Sequence, residues 1–184
     1  MWPRHREVHD HRRTRDPLAD AVRASLREGD EAAAIAEVVR AHRPTPALLE
    51  PHQRLGTPDR VDSHLLHAED DFSMIALVWR PGQRTRIHDH LCWCVVYVVQ
   101  GSELETRYDD HGGFLTETAT TRNPVGSVSA LAPPGDIHRI CNDAEDIAIS
   151  LHVYGIDLRV AGSSARRTYD APVRTAPGRS SWRS

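Results

Sequence analysis

Three histidines in two separate segments have the residue type and spacing of a metal site. His88 and His90 are separated by one residue, and His138 follows much later in the chain. In an extended strand, residues i and i+2 point to the same side, so His88 and His90 can bind one ion together. Three protein ligands leave coordination positions open, which a catalytic metal requires. The sequence therefore predicts a metal centre formed by His88, His90 and His138.

A second group of polar residues alternates with apolar residues over 147–154. Ser150, His152 and Tyr154 fall on one face of the expected strand, and the apolar side chains fall on the other. Ser150 can then orient His152, and His152 can orient the Tyr154 hydroxyl. A buried row of this kind needs mutual hydrogen-bond partners and is costly unless it serves something. The alternative interpretation is a strand face turned to solvent.

The elements that must position these residues differ along the chain. Asp16 followed by Pro17 is typical of a helix start, and we expect one helix to end near Gly29 and a second over 30–42. From Asp62 to Tyr154 the pattern changes to short strands separated by turn residues. The predicted strands cover 72–79, 94–100, 103–108, 114–121, 125–131 and 146–154. This pattern favours an antiparallel, all-β sandwich or barrel, with the N-terminal helices packed on its outside.

The predicted organisation has four parts. Residues 1–15 are expected to be a disordered tail, 16–60 a helical segment, 61–169 the barrel and 170–184 a flexible C-terminal tail.

Composition limits the classes of partner. The chain of 184 residues suits one domain, and its formal charge of −3 gives no reason to expect nucleic acid. No apolar run approaches the roughly 20 residues that cross a bilayer, so no membrane partner is expected. The three cysteines show no disulfide-scaffold pattern, which favours a reducing, cytoplasmic location. We expect a monomer or a weak homo-oligomer.

Two motifs around the histidines resemble those of the cupins. The first motif consists of Gly82, His88, His90, Cys94 and Gly101, and the second consists of Gly126, Pro133, Gly135, His138 and Asn142. Cupins commonly have Glu where this chain has Cys94. The resemblance implies a double-stranded β-helix, that is, a small jelly-roll barrel. A site without the Glu would be a neutral face of three histidines, suited to an anionic ligand such as a thiolate.

A narrower resemblance is to the cysteine dioxygenase (thiol dioxygenase) family of the cupins. The matching stretches are Trp79-Arg-Pro-Gly-Gln, Ile87-His-Asp-His90, Val99-Gln-Gly101 and Ser150-Leu-His-Val-Tyr-Gly155. This resemblance implies Fe(II) bound by the three histidines, with Ser150, His152 and Tyr154 as an outer-sphere chain of hydrogen bonds. It also implies oxidation of a small thiol, L-cysteine or 3-mercaptopropionate, to the sulfinic acid by O2.

Cys94 has two interpretations. Counted back from Gly101, it aligns with the cysteine that is crosslinked to the relay tyrosine in animal-type members of the family. A thioether between Cys94 and Tyr154 is therefore a hypothesis, and a small buried hydrophobic residue is the alternative.

Two arginines are candidates for binding the substrate carboxylate. In the resembled family an arginine holds the substrate carboxylate, and a guanidinium suits that task. Arg166 resembles the arginine of the mercaptopropionate branch and is preferred, with Arg60 as the next candidate.

Two other functions stay open at the level of sequence. One is a different metal-dependent cupin enzyme, which would not need Ser150, His152 and Tyr154 as a chain. The other is a non-catalytic cupin module that only binds a ligand. The N-terminal helices lack a recognition helix with clustered basic residues, which argues against a DNA-binding sensor.

Overall fold

The computed structural model describes residues 16–28 and 32–174. The predicted tail over 1–15 lies outside these residues, as do Gly29 and Asp30, where one predicted helix ends and the next begins. The two predicted helices are present as α1 (Pro17–Arg27) and α2 (Ala32–His42). The Asp16 carboxylate caps α1 by accepting a hydrogen bond from the backbone N–H of Leu18 at 2.9 Å.

The rest of the described chain is dominated by strands. They are β1 (Asp62–Ala68), β2 (Ser73–Trp79), β3 (Ile87–His90), β4 (Cys94–Gln100), β5 (Ser102–Asp110), β6 (Leu115–Pro124), β7 (Val128–Leu131), β8 (His138–Cys141), β9 (Ala148–Tyr154), β10 (Ala165–Tyr169) and β11 (Val173–Arg174). A short helix, α3 (Leu158–Ala161), follows β9.

The strand order identifies the architecture. One sheet has the order β1-β2-β9-β4-β7, and the other has the order β10-β3-β8-β5-β6-β11. Strands β2 to β9 are arranged as in a jelly roll, with β2-β9-β4-β7 opposite β3-β8-β5-β6, and β5 and β6 form a hairpin within the second sheet. The predicted all-β, double-stranded β-helix is therefore confirmed.

The helices cover the outer face of the five-stranded sheet. Val22 of α1 and Ile35 and Val39 of α2 belong to one buried cluster with Met74 of β2 and Leu151 of β9. Burying aliphatic side chains of this size stabilises the fold by about 1.5–3 kcal/mol each. The helical segment therefore packs outside the barrel, as the sequence predicts.

A second apolar cluster fills the barrel interior. Ile75, Trp79 and Val96 come from one sheet and meet Ile140 of the other. Cys94 and Tyr154 belong to the same cluster.

The C-terminal boundary differs from the prediction. Val173 and Arg174 pair in parallel with Leu115 and Thr116 of β6, so strand structure continues beyond residue 169. A two-residue strand has no periodicity that a sequence could show, and its backbone pairing depends on β6 being beside it. The remainder of the predicted tail, 175–184, lies outside the described residues. Within the described part of the chain, no helix combines the length and apolar character needed to span a membrane.

Candidate metal centre

The three predicted histidines converge inside the barrel. His88 and His90 lie on β3, and His138 on the neighbouring β8 is the direct register partner of His88. Alternation on β3 turns His88 and His90 to the same face. One ring nitrogen from each histidine lies within 4.8 Å of the others, and all three residues are buried. The three histidines thus cluster because His88 and His90 are two residues apart on β3 and because β3 pairs with β8.

Each ring is held through its Nδ1 atom. The Nδ1 partners are the Arg86 carbonyl oxygen at 2.9 Å from His88, Asp136 Oδ2 at 2.8 Å from His90 and Glu105 Oε1 at 3.1 Å from His138. A carboxylate or carbonyl behind the imidazole is the usual support of a metal-binding histidine. With Nδ1 engaged, Nε2 is the nitrogen through which each ring can bind a cation. The donor set therefore fits a metal ion.

Burial also favours the protonation state that a metal needs. The pKa of His88 is well below its usual value because of burial and because of the neighbouring His138 and His90 rings. The pKa of His138 is lowered mainly by burial, although Glu105 opposes the shift. Neutral imidazole is the form that binds a metal. His88 and His138 are therefore in the uncharged form that can bind a metal cation.

Glu105 and Asp136 are site residues that the sequence analysis missed. Asp136 stands two residues before His138, and Glu105 lies on β5, the neighbour of β8. The short distance between Asp136 and His138 in the second motif was a usable signal. Nothing comparable marked Glu105, because its approach to His138 depends on the pairing of β5 with β8.

The Ser150, His152 and Tyr154 side chains form the predicted chain of hydrogen bonds. Ser150 Oγ lies 3.0 Å from His152 Nε2, and the Tyr154 hydroxyl lies 3.1 Å from His152 Nδ1. Trp79 Nε1 donates a further hydrogen bond to Ser150 Oγ at 3.0 Å. All are buried, so the alternative of a solvent-facing strand does not hold for these residues.

The chain of hydrogen bonds leads to the three histidines. The Tyr154 and His90 ring centroids are 6.0 Å apart. Burial lowers the pKa of His152 to about 3, so this ring is neutral at ordinary pH. Burial also raises the pKa of Tyr154 well above its usual value, which keeps the hydroxyl protonated. A neutral relay therefore ends beside the candidate metal site.

Cys94 lies beside this relay. It pairs directly with Tyr154 across β4 and β9, and its Sγ atom is 4.0 Å from His152 Nδ1. The residue is fully buried, and burial raises the pKa of its thiol well above the usual value. The neighbourhood required by the crosslink hypothesis is present.

A cavity of about 260 Å³ opens beside the inner face of β2. Ile75, Leu77 and Trp79 form its apolar wall. Ser164 also lines it and lies close enough to Tyr154 to oppose the rise in the pKa of its hydroxyl, whereas the three histidines do not line this cavity.

The cavity lining includes Arg60, Arg84 and Arg86. Arg60 was the second choice from the sequence, whereas Arg84 and Arg86 were missed. Their place immediately before the His88 strand was a signal that could have found them. Arg86 is paired closely with Asp170 at 2.5 Å, Arg60 lies at a longer 3.6 Å from Asp62, and Arg84 has no ion pair among the described residues. Arg60 and Arg84 are therefore the better candidates for binding an anion.

Arg166 lies on the other side of the ligand strand. Asp89 alternates with His88 and His90 and so faces away from them. Arg166 hydrogen-bonds the Asp89 carboxylate, which also accepts a hydrogen bond from the Tyr169 hydroxyl at 2.8 Å. Arg166 is not among the residues that line the cavity. Arg60, which does line the cavity, is therefore preferred to Arg166 as the candidate for binding an anionic group.

Comparisons with known proteins found several solved structures to which this chain is similar. No family model matches the sequence. A conserved protein with a double-stranded β-helix domain from Klebsiella pneumoniae is 16% identical, covers 60% of this chain and 85% of its own, and gives a TM-score of 0.45. A cupin superfamily protein from Desulfitobacterium hafniense is 18% identical over 62% of this chain and 91% of its own, with a TM-score of 0.46.

Enzymes also occur among the similar structures. Bacillus subtilis oxalate decarboxylase, a protein with Mn(II) centres, is 15% identical over 55% of this chain and 27% of its own, with a TM-score of 0.45. None of these three proteins is named as a thiol dioxygenase. The assignment of the fold rests on the strand order described above.

Proposed function

We propose that the protein is a mononuclear non-heme Fe(II) thiol dioxygenase, which oxidises a small thiol to its sulfinic acid with O2. The observation that carries this proposal is the buried Ser150–His152–Tyr154 row, which runs to a three-histidine site inside the barrel. A cupin that only bound a ligand would have no use for a dry, fully connected polar row of this kind.

The affinity of three neutral imidazoles does not distinguish iron from other metals, since Ni, Cu and Zn would also fit. The choice of iron rests on the resemblance to the thiol dioxygenase family. When bound, Fe(II) would supply a cation that lowers the pKa of a thiol and a centre at which O2 reacts.

The protein's own residues supply position and a dry environment. His88, His90 and His138 would hold the cation, and their Nδ1 partners keep the three rings turned toward one point. Tyr154, fixed by His152, would hydrogen-bond the substrate or oxygen beside the three-histidine site. Hydrogen bonds are electrostatically stronger in such a dry interior than in water.

The lining of the cavity supports a small substrate that carries an anionic group. Its volume of about 260 Å³ and its apolar wall suit a short aliphatic thiol. Arg60 and Arg84 provide guanidinium groups that could bind a carboxylate. L-cysteine and 3-mercaptopropionate both fit this description.

Oxygen uptake by the iron-loaded protein tests the proposal. Addition of L-cysteine or 3-mercaptopropionate should start oxygen consumption, and mass spectrometry should detect the sulfinate. His138→Ala should abolish both signals, and His42→Ala, which changes an exposed histidine, should leave them unchanged. Tight metal binding without thiol-dependent uptake would indicate another metal-dependent cupin enzyme. Absence of both would indicate a binding module.

A further inference from the structure

Glu103 is a buried acid that the proposed reaction does not yet use. It lies on β5 two residues before Glu105, so both side chains face the barrel interior. Its exposed fraction is 0%, and neither carboxyl oxygen has a hydrogen-bond partner among the described residues. An unpaired carboxyl in such a place is costly, and it calls for an explanation.

The group that Glu103 faces is the far end of the relay. Burial raises the pKa of Glu103 from its usual 4.5 to about 7, and the adjacent Ser150 hydroxyl opposes this shift. Ser150 is therefore close enough to interact, although no hydrogen bond between the two side chains is complete in the structure. A hydrogen bond between them would join Glu103 to the relay.

The hydrogen-bonding capacity of Ser150 allows only two arrangements. Its oxygen accepts one hydrogen bond from Trp79, whose indole N–H can only donate. The hydroxyl has one proton to donate and one further lone pair. If it donates to His152, it accepts from Glu103; if it donates to Glu103, it accepts from His152.

The two arrangements turn the Tyr154 hydroxyl in opposite directions. In the first, protonated Glu103 donates to Ser150, Ser150 donates to His152 Nε2, and His152 Nδ1–H donates to the Tyr154 oxygen. The Tyr154 proton then points away from the relay. In the second, ionised Glu103 accepts from Ser150, His152 carries its proton on Nε2, and Tyr154 donates to His152 Nδ1.

We infer that Glu103 is the proton store of a four-membered relay, Glu103–Ser150–His152–Tyr154, which delivers or recovers one proton at the Tyr154 oxygen. When Tyr154 gives its proton to a bound acceptor, His152 passes its Nδ1 proton to Tyr154. Ser150 then passes its proton to His152 Nε2, and Glu103 passes its proton to Ser150. Each of the three inner residues ends neutral, and the negative charge left by the departed proton resides on Glu103.

Few titratable groups face Glu103. Glu105 on the same strand raises its pKa further, and His152 of β9 stands behind Ser150. Its register partner on β6 is the uncharged Asn123. On β8, Cys141 pairs with Leu104 and therefore faces the opposite side of the sheet. Glu103 acts through Ser150 and is thus a positioning residue for Tyr154.

This role concerns the relay and not the identity of the substrate. It can be tested in full-length protein by nitrogen-15 NMR of the His152 ring, both without metal and with diamagnetic Zn(II) in the three-histidine site. The His152 proton should move from Nδ1 at low pH to Nε2 at high pH, with a midpoint near the Glu103 pKa of about 7. Infrared absorption of the protonated carboxyl should disappear with the same midpoint.

Three variants make the test specific. Glu103→Gln should remove both the infrared signal and the pH dependence of the His152 tautomer. Ser150→Ala should keep the carboxyl titration but uncouple it from His152. Glu117→Gln, at an exposed position on β6, should behave as the wild type.

A His152 ring that keeps one tautomer while Glu103 titrates would overturn the inference. So would a tautomer change that persists in Glu103→Gln. If Glu103→Gln fails to fold by circular dichroism, the Ser150→Ala comparison decides the question. Failure of thiol oxidation would leave these measurements unaffected, so the two proposals are tested separately.

Discussion

Asp136 fixes His90 by two hydrogen bonds. Asp136 Oδ2 lies 2.8 Å from His90 Nδ1 and also accepts the His90 backbone N–H at 3.1 Å. Burial alone would raise the pKa of Asp136, but the bonds to His90 outweigh burial and the pKa is lowered. One ionised side chain thus connects the segment before β8 to the ligand strand β3, which joins the two halves of the site.

Removing the charge of Asp136 should weaken the metal site without destroying it. Asp136→Asn preserves the shape of the side chain but loses the charge that orients the His90 ring. Loss of such a support typically costs about 10–100-fold in metal affinity. Competition with a chromophoric chelator measures this change. Asp143→Asn, which affects an exposed pair with Arg122, is the matched control and should bind metal normally.

Steady-state kinetics should distinguish between Arg60 and Arg166 as the residue that binds the substrate carboxylate. Arg60→Ala should raise KM for a thiol carboxylate by roughly 10–100-fold with little change in kcat, because a charge-assisted hydrogen bond contributes about 1.5–3 kcal/mol. A thiol without a carboxylate should be insensitive to the change. Arg166→Ala should leave KM unchanged, since Arg166 holds Asp89 on the opposite face.

An unchanged KM in Arg60→Ala would contradict the assignment of Arg60. In that case Arg84→Ala becomes the decisive variant, because Arg84 lines the same cavity.

Cys94 and Tyr154 should become covalently joined during turnover with oxygen. The two residues are direct neighbours across β4 and β9. A thioether forms between Cys94 Sγ and a ring carbon of Tyr154, with loss of one hydrogen from each, and the two electrons and two protons pass to O2. Peptide mapping should recover a joined peptide two hydrogens lighter than the sum of its parts. Cys94→Ser should abolish it, and Cys92→Ser should not. A Tyr154 peptide that stays separate after many turnovers would refute the crosslink.

The buried Glu103 should make the fold less stable as pH rises. Its pKa is about 7 in the folded protein against 4.5 ordinarily, so between these values the folded chain keeps a proton that the unfolded chain has released. The free energy of unfolding should therefore fall by up to about 1.4 kcal/mol per pH unit in that window. Urea denaturation at a series of pH values measures this slope.

Glu103→Gln should flatten the slope, and the exposed control Glu117→Gln should retain it. A Glu103→Gln variant with the same pH dependence as the wild type would show that the acid does not titrate in this range.

The sequence by itself predicted the His88–His90 pair and the row of Ser150, His152 and Tyr154, because both depend on local periodicity, whereas His138 was predicted from the second motif. His88 and His90 share a face at a spacing of two, and the same alternation places Ser150, His152 and Tyr154 in one row. These relationships hold wherever the strands lie in the barrel. The jelly roll was likewise predictable from short strands and turn residues, together with the resemblance of the two motifs to the cupins.

Only the tertiary structure decided which distant residues support these groups. Glu105 reaches His138 because β5 pairs with β8. Arg166 lies on the face of the sheet opposite the three histidines, because the pairing of β10 with β3 places it against Asp89. Glu103 meets Ser150 across the barrel, from the opposite sheet. Such contacts depend on strand register and on which face is turned inward. A single sequence does not specify them, because a shift of one residue would exchange the two faces.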